Sequence, residues 1–242
     1  MFKLGTQTEP LTAHKLQSVG FGTHEHCCYI ANGSALEEFG YPAGALARAV
    51  SHNNTVTANQ RKNKILRNIV YYVASSLDGF ISGLNDDISS FVAKGNGVEK
   101  YLADLAHFDT VIMGRNTYEF GYKYGLQPGQ PAYPHMKHYI FSNNLQLENQ
   151  HPQVHVKRLD IAEIDKLKAE KGTDIYLCGG GQFANWLLEN QKIDSLKLKL
   201  NPMVLGKGIR LFGNSTSHYK LELVDSVLYD EGLQIMTFKI LY

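Results

Sequence analysis

Short apolar runs separated by glycine-rich turns dominate the chain from about residue 67 onward. The run 69–74 (IVYYVA) is continuous and rich in β-branched and aromatic residues, which is typical of a strand buried on both faces of a sheet. The run 109–113 (DTVIM) has the same character and closes at Gly114, and residues 115–119 then favour the first turn of a helix. A strand, a glycine and a helix in succession indicate a βαβ unit.

The same alternation continues through the middle of the chain. Apolar spacing predicts helices over residues 99–107, 161–171 and 182–189, and strands over 138–141, 154–156 and 174–178. From Ile193 onward the helices stop, and antiparallel strands are predicted over 196–200, 219–228 and 233–241, with a hairpin turn at 229–232. We therefore predict an α/β fold of three layers, α/β/α. Its central sheet is mixed, mostly parallel, and ends in an antiparallel hairpin.

The first 66 residues have a different texture. They show no sustained hydrophobic period, and one short helix is indicated where Ser34 precedes Glu37 at capping-box spacing. The polar stretch 51–64 lacks large apolar anchors and is typical of a linker. The sequence thus predicts an N-terminal extension over residues 1–66 and a folded domain over residues 67–242.

Composition limits the classes of function. The chain has 24 Lys plus Arg and 23 Asp plus Glu, a net charge of +1, so no broad basic field is available for nucleic acid or an anionic membrane. It has no apolar run of about 18 residues and no secretory signal, which predicts a cytoplasmic protein. Three cysteines cannot form a closed disulfide framework. A small molecule is the expected ligand.

Two strand-to-helix junctions carry the strongest chemical signal, at residues 113–117 (MGRNT) and 178–183 (CGGGQF). Glycines after a strand let the backbone approach an anion closely, and the following helix presents N–H groups and a positive dipole end. Arg115 adds a planar donor fork that suits a phosphate monoester, such as the one that separates NADP from NAD. A tight, closely packed turn is the commoner reason for one glycine run. Two such junctions favour a ligand with several phosphates.

Three other features have simpler explanations. Residues 23–28 (THEHCC) contain metal-ligand types, but their spacing matches neither a zinc knuckle nor a zinc deaminase, so no metal is predicted. Cys178 is expected to be a core residue rather than a nucleophile. An exposed face of an antiparallel strand, together with a loop, explains a basic cluster made of Lys197, Lys199, Lys207 and Arg210.

Four segments resemble, in order and spacing, the successive motifs of the dihydrofolate reductase-like superfamily. They are residues 74–81 (ASSLDGFI), 111–119 (VIMGRNTYE), 179–181 (GGG) and 201–212 (NPMVLGKGIRLF). The nearest branch is the bacterial "dihydrofolate reductase family protein" group, related to the reductase domain of the riboflavin pathway. The resemblance covers residues 67–242 and implies a nucleotide-binding reductase domain with NADPH as cofactor. Because relatives often pair through their sheets, it also implies a possible homodimer.

The resemblance further implies a cofactor site, residue by residue. Arg115 would meet the 2′-phosphate and Thr117 the pyrophosphate, with Gly114 at the turn between strand and helix. Ser142, which closes the next strand, would also touch the 2′-phosphate, with Asn143 as its neighbour. The residues implied at the pyrophosphate and the nicotinamide are Gly179, Gly180, Gly181, Gln182 and Phe183, together with Ala74 and Ile81 through their backbone.

The resemblance implies less about the substrate. True dihydrofolate reductases carry a Pro-Trp-x-Leu-Pro segment followed by an acidic residue on a helix, whereas the only tryptophan here is Trp186 in another helix. Riboflavin-pathway reductases carry an Asp-Asp-Pro segment where this chain has residues 118–122 (YEFGY). We expect an NADPH-dependent reductase of a small heterocyclic substrate, pterin-like or pyrimidine-like. A nucleotide-binding protein of the same fold without turnover is the alternative.

A reductase also needs a proton source beside the hydride acceptor. The candidates in the sequence are Asp78, Glu99 and Asp104, or a water molecule. Asp78 is the candidate catalytic residue because the resemblance implies a position in the loop over the active site, but it equally fits the former of an Asp-Gly turn. Glu99 and Asp104 fit solvated helix faces better.

Overall fold

The computed structural model describes residues 66–242, which form ten strands and four α-helices. The strands are β1 (Ile69–Ser76), β2 (Phe80–Ser82), β3 (Thr110–Gly114), β4 (Lys137–Phe141), β5 (Val154–Lys157), β6 (Ile175–Gly179), β7 (Ser195–Asn201), β8 (Ile209–Arg210), β9 (Lys220–Leu228) and β10 (Gln234–Leu241). The α-helices are α1 (Asn96–Leu105), α2 (Arg115–Phe120), α3 (Ile161–Ala169) and α4 (Gly181–Glu189). Single 3₁₀ turns occupy Leu84–Asp86, Gly121–Tyr124 and Asp230–Gly232.

Eight strands form one sheet in the order β5-β4-β3-β6-β1-β7-β10-β9. The first six strands in this order, β5-β4-β3-β6-β1-β7, all pair in parallel. Strand β10 is antiparallel to both of its neighbours, β7 and β9. The predicted mixed sheet with a terminal hairpin is therefore confirmed. The prediction for β7 was partly wrong, because its pairing with β1 is parallel over seven residues and only its pairing with β10 is antiparallel.

Helices cover both faces of the sheet. Tyr71 and Tyr72 are successive residues of β1 with no exposed surface, and they belong to different hydrophobic clusters. The cluster of Tyr71 contains residues of α3 and α4, and the cluster of Tyr72 contains residues of α1 and α2. A strand with apolar side chains on both faces needs a cover on each side, and so the sequence run is continuous rather than alternating. The predicted three-layer α/β/α architecture is thus confirmed.

The second, smaller sheet is absent from the sequence prediction. It pairs β2 antiparallel with β8, and places Phe80 opposite Arg210. Strands of three and two residues are too short to show a periodic pattern, and only the fold brings these two segments together.

Two predictions concern residues that the structure does not describe. The metal-ligand types of residues 23–28 and the predicted helix that Ser34 opens belong to residues 1–65, which the structure does not describe. Over residues 66–242, no helix is long and apolar enough to cross a bilayer. Over the same range, no three His, Cys, Asp or Glu side chains are grouped to hold a metal ion.

Candidate functional site

The two strand-to-helix junctions lie side by side. β3 and β6 are parallel neighbours in which Met113 is the partner of Gly179. α2 begins at Arg115, directly after β3, and α4 begins at Gly181, just after the end of β6. Both helices therefore start at the carboxyl edge of the same pair of strands, which is where ligands of open α/β sheets bind.

Glycines lie where the two junctions approach each other closely. A Cβ atom added to Gly180 would lie 3.0 Å from Thr117 Oγ1, and a Cβ atom added to Gly114 would lie 3.1 Å from the Cβ of Phe183. Gly179 has a φ of +135°, a conformation that favours glycine, and a cis peptide bond joins it to Gly180. The bare backbone of residues 179–180 thus faces Thr117, and such a surface allows a close approach to an anion.

The start of α4 packs against the end of β8 and the residues that follow it. A Cβ atom added to Gly181 would lie only 2.1 Å from the carbonyl oxygen of Arg210 and 3.0 Å from the backbone nitrogen of Gly213. Gly180 is the N-cap of α4 and supplies no side-chain hydrogen bond to its first turn. The first N–H groups of α4 therefore have no side-chain cap, as a phosphate-binding helix start requires.

Arg115 lies at the outer side of the β3 junction. Its Nε donates to Glu119 Oε1 at 2.8 Å, and its Nη1 donates to Asn144 Oδ1 at 3.3 Å. These two bonds use two of its five N–H groups, and the other three have no hydrogen-bond partner among residues 66–242. Its side chain is 40% exposed, so the guanidinium is accessible to a charged ligand.

The turn after β4 contacts Arg115 through Asn144, a residue that the sequence analysis missed. Ser142 Oγ donates to Asn144 Oδ1 at 3.1 Å, the same oxygen that accepts from Arg115. Asn143, which the resemblance implied, instead accepts from the backbone N–H of Leu159 at 3.2 Å. Ser142 and Arg115 are therefore brought together as expected, but Asn144 makes the connection. A shift of one residue inside a turn leaves no signal in the sequence.

The residues implied at the nicotinamide are mostly buried. Phe183 is 6% exposed, and its ring stacks on Phe141 and Trp186 at centroid distances of 5.1 and 5.7 Å. Its side chain therefore anchors α4 to the sheet, and only its backbone is available at the junction. Ala74 is 1% exposed and belongs to a cluster with Ile88 and Phe91. Ile81 is also buried, whereas Gln182 is exposed at the start of α4.

Asp78 holds a loop together. Its Oδ1 accepts from Ser76 Oγ at 2.6 Å and from the N–H of Leu205 at 3.0 Å, and its Oδ2 accepts from the N–H of Gly206 at 2.7 Å. The hydrogen bond from Ser76, assisted by those backbone bonds, lowers the pKa of Asp78 to about 2. The carboxylate is thus an acceptor that ties β1 to residues 205–206. This geometry favours its structural interpretation over that of a proton donor.

Two expectations about charged residues were wrong. Asp104 is not on a solvated face: it is half-buried, lies 2.6 Å from Lys197 Nζ and accepts from Tyr72 Oη at 3.2 Å. Burial acts to raise the pKa of Asp104, but the hydrogen bonds and charges of Lys100 and Lys197 outweigh it and keep the pKa below its usual value. Lys199 was expected on an exposed strand face, but only 1% of its surface is accessible. Both lysines of β7 point to the covered face beneath α1.

Three smaller predictions have clear outcomes. Cys178 is buried in the core with its Sγ 3.7 Å from Tyr133 Oη, as predicted. Glu99 is exposed on α1, as expected for a solvated helix position. The predicted hairpin turn at 229–232 is a 3₁₀ turn in which Glu231 and Gly232 have positive φ.

Comparison with known proteins decides the family. The sequence profile of the RibD C-terminal domain matches residues 67–235. The chain belongs to this family. It is 30% identical over 175 residues to YwjB, an uncharacterized protein of Bacillus subtilis (strain 168), and the match covers 70% of this chain and 96% of YwjB. The resemblance to the reductase domain of the riboflavin pathway is thereby confirmed.

Solved structures agree on the fold. A candidate riboflavin biosynthesis protein from Shewanella sp. PV-4 superposes with a TM-score of 0.60 at 24% identity, covering 73% of this chain and 100% of that one. Dihydrofolate reductase from Enterococcus faecalis, solved with NADP(H), superposes with a TM-score of 0.52 at 14% identity, covering 73% of this chain and 97% of that one. At these identities the likeness shows the fold alone.

Proposed function

We propose that this RibD C-terminal domain protein binds NADPH at the shared edge of β3 and β6 and reduces a small heterocyclic, pterin-like or pyrimidine-like substrate. The observation that carries the proposal is the contact between the two junctions. Thr117 Oγ1 lies 3.0 Å from the position that a Cβ of Gly180 would occupy, so one phosphorylated dinucleotide can engage both helix starts.

The residues at this edge fit the cofactor chemically. Gly180 leaves a cradle beside Thr117 that any side chain would fill, which suits a pyrophosphate. Arg115 has N–H donors available for a 2′-phosphate, and Ser142 is joined to it through Asn144. When bound, NADPH supplies the hydride, and the protein has to bind the acceptor, orient it and exclude water.

The proton that accompanies the hydride comes, in this proposal, from a water molecule. Asp78 and Asp104 both have lowered pKa values and accept several hydrogen bonds, so each is an ionised acceptor near neutral pH. Glu99 lies on the exposed side of α1, away from the buried face. A water molecule is the candidate from the sequence analysis that these contacts leave in place.

We predict that Arg115→Ala weakens the binding of NADPH much more than that of NADH. Loss of a charge-assisted hydrogen bond costs roughly 1.5–3 kcal/mol, so we expect the Kd for NADPH to rise by roughly tenfold to a hundredfold, because only NADPH carries the 2′-phosphate. The measurement is a thermal-shift titration, in which a ligand at a hundred times its Kd adds about 2.7 kcal/mol to stability.

The matched control is Lys171→Ala, which removes an exposed cation just before β6, at the opposite edge of the sheet. It should leave both titrations unchanged. If Arg115→Ala weakens the binding of NADPH and of NADH equally, the role given to Arg115 is contradicted. The absence of any stabilisation of the wild-type protein by NADPH contradicts the proposed function as a whole.

The alternative is a protein that binds NADP(H) without turnover. Oxidation of NADPH is followed by the absorbance of the reduced nicotinamide in the presence of dihydrofolate and of a panel of pyrimidines. Turnover with any member of the panel supports the reductase. Binding of NADPH without turnover across the whole panel supports the alternative.

We also propose that the domain pairs with a second copy of itself through the β9 end of the sheet. All nine residues of β9 are exposed, and its exposed large apolar side chains are Leu221, Leu223, Val224, Val227 and Leu228. An apolar edge strand of this length invites pairing with another chain. Two copies of β9 can align antiparallel about a two-fold axis.

Leu223→Lys should therefore shift the protein from dimer to monomer, because it places a charge in the centre of the paired edge. Light scattering coupled to size-exclusion chromatography measures the mass. Leu159→Lys, an exposed leucine after β5 at the other end of the sheet, is the control that should stay dimeric. A wild-type mass of one chain contradicts the proposed dimer.

A further inference from the structure

A half-buried tryptophan lies on the helix that begins at the β6 junction. Trp186 is on α4, five residues after Gly181, and is the only tryptophan of the chain. Helical side chains lean towards the amino end of their helix, so its ring is directed towards the turn that begins at Gly181. Gln182, one turn earlier on the same face, is exposed and leaves this side of the helix open.

Trp186 belongs to a cluster of three aromatic rings. Its ring stacks on that of Phe183 at a centroid distance of 5.7 Å and an interplanar angle of 23°, and its centroid lies 6.4 Å from that of Phe141. The rings of Phe141 and Phe183 stack on each other, and these two residues are only 2% and 6% exposed. Of the three rings, that of Trp186 is therefore the one that offers surface to a ligand.

The cluster adjoins the residues proposed to hold the 2′-phosphate. Phe141 of β4 is the register partner of Gly114 of β3, and a Cβ atom added to Gly114 would lie 3.1 Å from the Cβ of Phe183. Arg115 follows Gly114 in the chain, and Ser142 follows Phe141. In the adenosine half of NADPH, the base and the 2′-phosphate are attached to neighbouring carbons of one ribose. A 2′-phosphate at Arg115 therefore brings the base close to this cluster.

We propose that Trp186 binds the adenine base of the cofactor by stacking, with the ring of Phe183 supporting the indole from behind. The inference rests on the proposed function and extends the site to a residue outside the two junctions. An indole face has no hydrogen-bond donors for a phosphate, so it adds affinity for the base alone. Truncation of a ring that stacks on a base weakens binding by roughly fivefold to a hundredfold.

The fluorescence of Trp186 reports on this contact directly, because the chain has no other tryptophan. The wild-type protein is titrated with adenosine 2′,5′-bisphosphate, which carries the base and the 2′-phosphate but no nicotinamide. A parallel titration uses nicotinamide mononucleotide, and excitation is at a wavelength that tyrosine does not absorb. We expect the bisphosphate to change the emission in a saturable way and the mononucleotide to leave it unchanged at the same concentration.

Three results of this experiment would overturn the proposal. The first is that the bisphosphate does not bind, as measured by isothermal titration calorimetry. The second is that it binds by calorimetry and leaves the emission of Trp186 unchanged. The third is that the mononucleotide changes the emission as much as the bisphosphate does, because the indole would then respond to a ligand without adenine.

Variants separate stacking from packing. Trp186→Leu keeps an apolar side chain against Phe183 but removes the aromatic face, so the Kd of the bisphosphate, measured by calorimetry, should rise about tenfold. Trp186→Phe restores a ring and should recover most of the affinity. A Trp186→Leu variant that is folded by circular dichroism and binds the bisphosphate normally overturns the proposal. If that variant does not fold, the fluorescence titration of the wild type decides.

The matched control is Tyr219→Leu. Tyr219 is half-buried and packs against the same hydrophobic cluster as Trp186, but it precedes β9, whose first residue pairs with the carboxyl end of β10. Because β10 is antiparallel to β7, this position lies at the opposite edge of the sheet from the two junctions. Tyr219→Leu should bind the bisphosphate as the wild type does, and an equal loss of affinity in both leucine variants overturns the proposal.

Failure of this inference is distinguishable from failure of the proposed function. If NADPH stabilises the wild-type protein and Trp186→Leu binds the bisphosphate normally, the role of Trp186 is contradicted and the cofactor site stands. If the bisphosphate changes the emission of Trp186 but NADPH gives no stabilisation, the proposed reductase is contradicted and the adenine contact stands.

Discussion

Replacement of Gly181 by alanine should destabilise the domain by about 3 kcal/mol, the upper part of the range for overpacking a closely packed site. The added Cβ would lie 2.1 Å from the carbonyl oxygen of Arg210 and 3.0 Å from the nitrogen of Gly213, and both contacts are with backbone. In an ordinary helix position the same substitution stabilises, because alanine has the higher helix propensity. The sign of the effect is therefore diagnostic.

The segment that meets Gly181 has little freedom to retreat. Leu211 is tied on both sides, since its N–H donates to the carbonyl oxygen of Gly79 at 2.9 Å and its own carbonyl accepts from Tyr71 Oη at 2.9 Å. Gly208 is equally close-packed, because an added Cβ there would lie 1.9 Å from the carbonyl oxygen of Ser82. The strain of the substitution therefore stays at the start of α4.

Urea denaturation measures this loss as a lower midpoint with an unchanged slope. Gln182→Ala is the matched control, because Gln182 is the next residue of the same helix and is exposed. We expect it to change stability by less than about 0.5 kcal/mol. If Gly181→Ala is as stable as the wild type, the β8 segment does not pack against α4. A shift of α4 should also weaken the binding of NADPH, as measured by the thermal-shift titration. This second effect would link the packing of α4 to the proposed cofactor site.

The parts of the fold that the sequence predicts are those in which local pattern and burial agree. The run over β1 is continuous because both of its faces are covered. The glycines at the ends of β3 and β6 mark the junctions in the sequence, and a Cβ at Gly181 would lie 2.1 Å from the carbonyl oxygen of Arg210. What the pattern does not contain is long-range pairing. Strands β2 and β8 meet only in the folded chain, and the direction of β7 is decided by its neighbour β1.

The candidate site shows the same division. Arg115 could be named because it follows a predicted strand, and Ser142 because the resemblance implies it at the end of the next strand. Both lie at one edge because parallel strands bring their carboxyl ends together. The burial of Lys199 could not be predicted, because Lys-Leu-Lys alternation in β7 is typical of an exposed face. The partner that covers this face comes from α1: Asp104, which pairs with Lys197, is 93 positions away. Charged residues on a period of two therefore do not by themselves show which face of a strand is solvated.

His138 should make the stability of the domain depend on pH between about 4 and 6.5. The ring has no exposed surface, its Nε2 accepts from the N–H of Tyr133 at 3.0 Å, and its Nδ1 donates to the carbonyl oxygen of Met136 at 3.1 Å. Both nitrogens are thus used by a neutral ring. Burial lowers the pKa of His138 to about 4, against an ordinary value of 6.5.

The sign follows from proton uptake. Between pH 6.5 and 4 the unfolded chain binds a proton at this residue and the folded domain does not, so the free energy of unfolding falls as the pH falls. The neutral His138 contributes its full stabilisation above pH 6.5. About 3 kcal/mol of that stabilisation is lost by pH 4, because each unit of difference between the folded and unfolded pKa values corresponds to about 1.4 kcal/mol. Carboxylates also titrate in this range, so the wild-type curve alone does not isolate the histidine.

His138→Asn isolates it, because asparagine does not titrate and its amide oxygen can still accept from the N–H of Tyr133. We expect the variant to be less stable than the wild type at pH 7.5 but to lose about 2–3 kcal/mol less between pH 7.5 and 4.5, as measured by urea denaturation at each pH. His107→Asn, at an exposed position just after α1, should follow the wild-type curve. Parallel curves for the wild type and His138→Asn contradict the prediction, since they would mean that the folded domain takes up this proton as readily as the unfolded chain does.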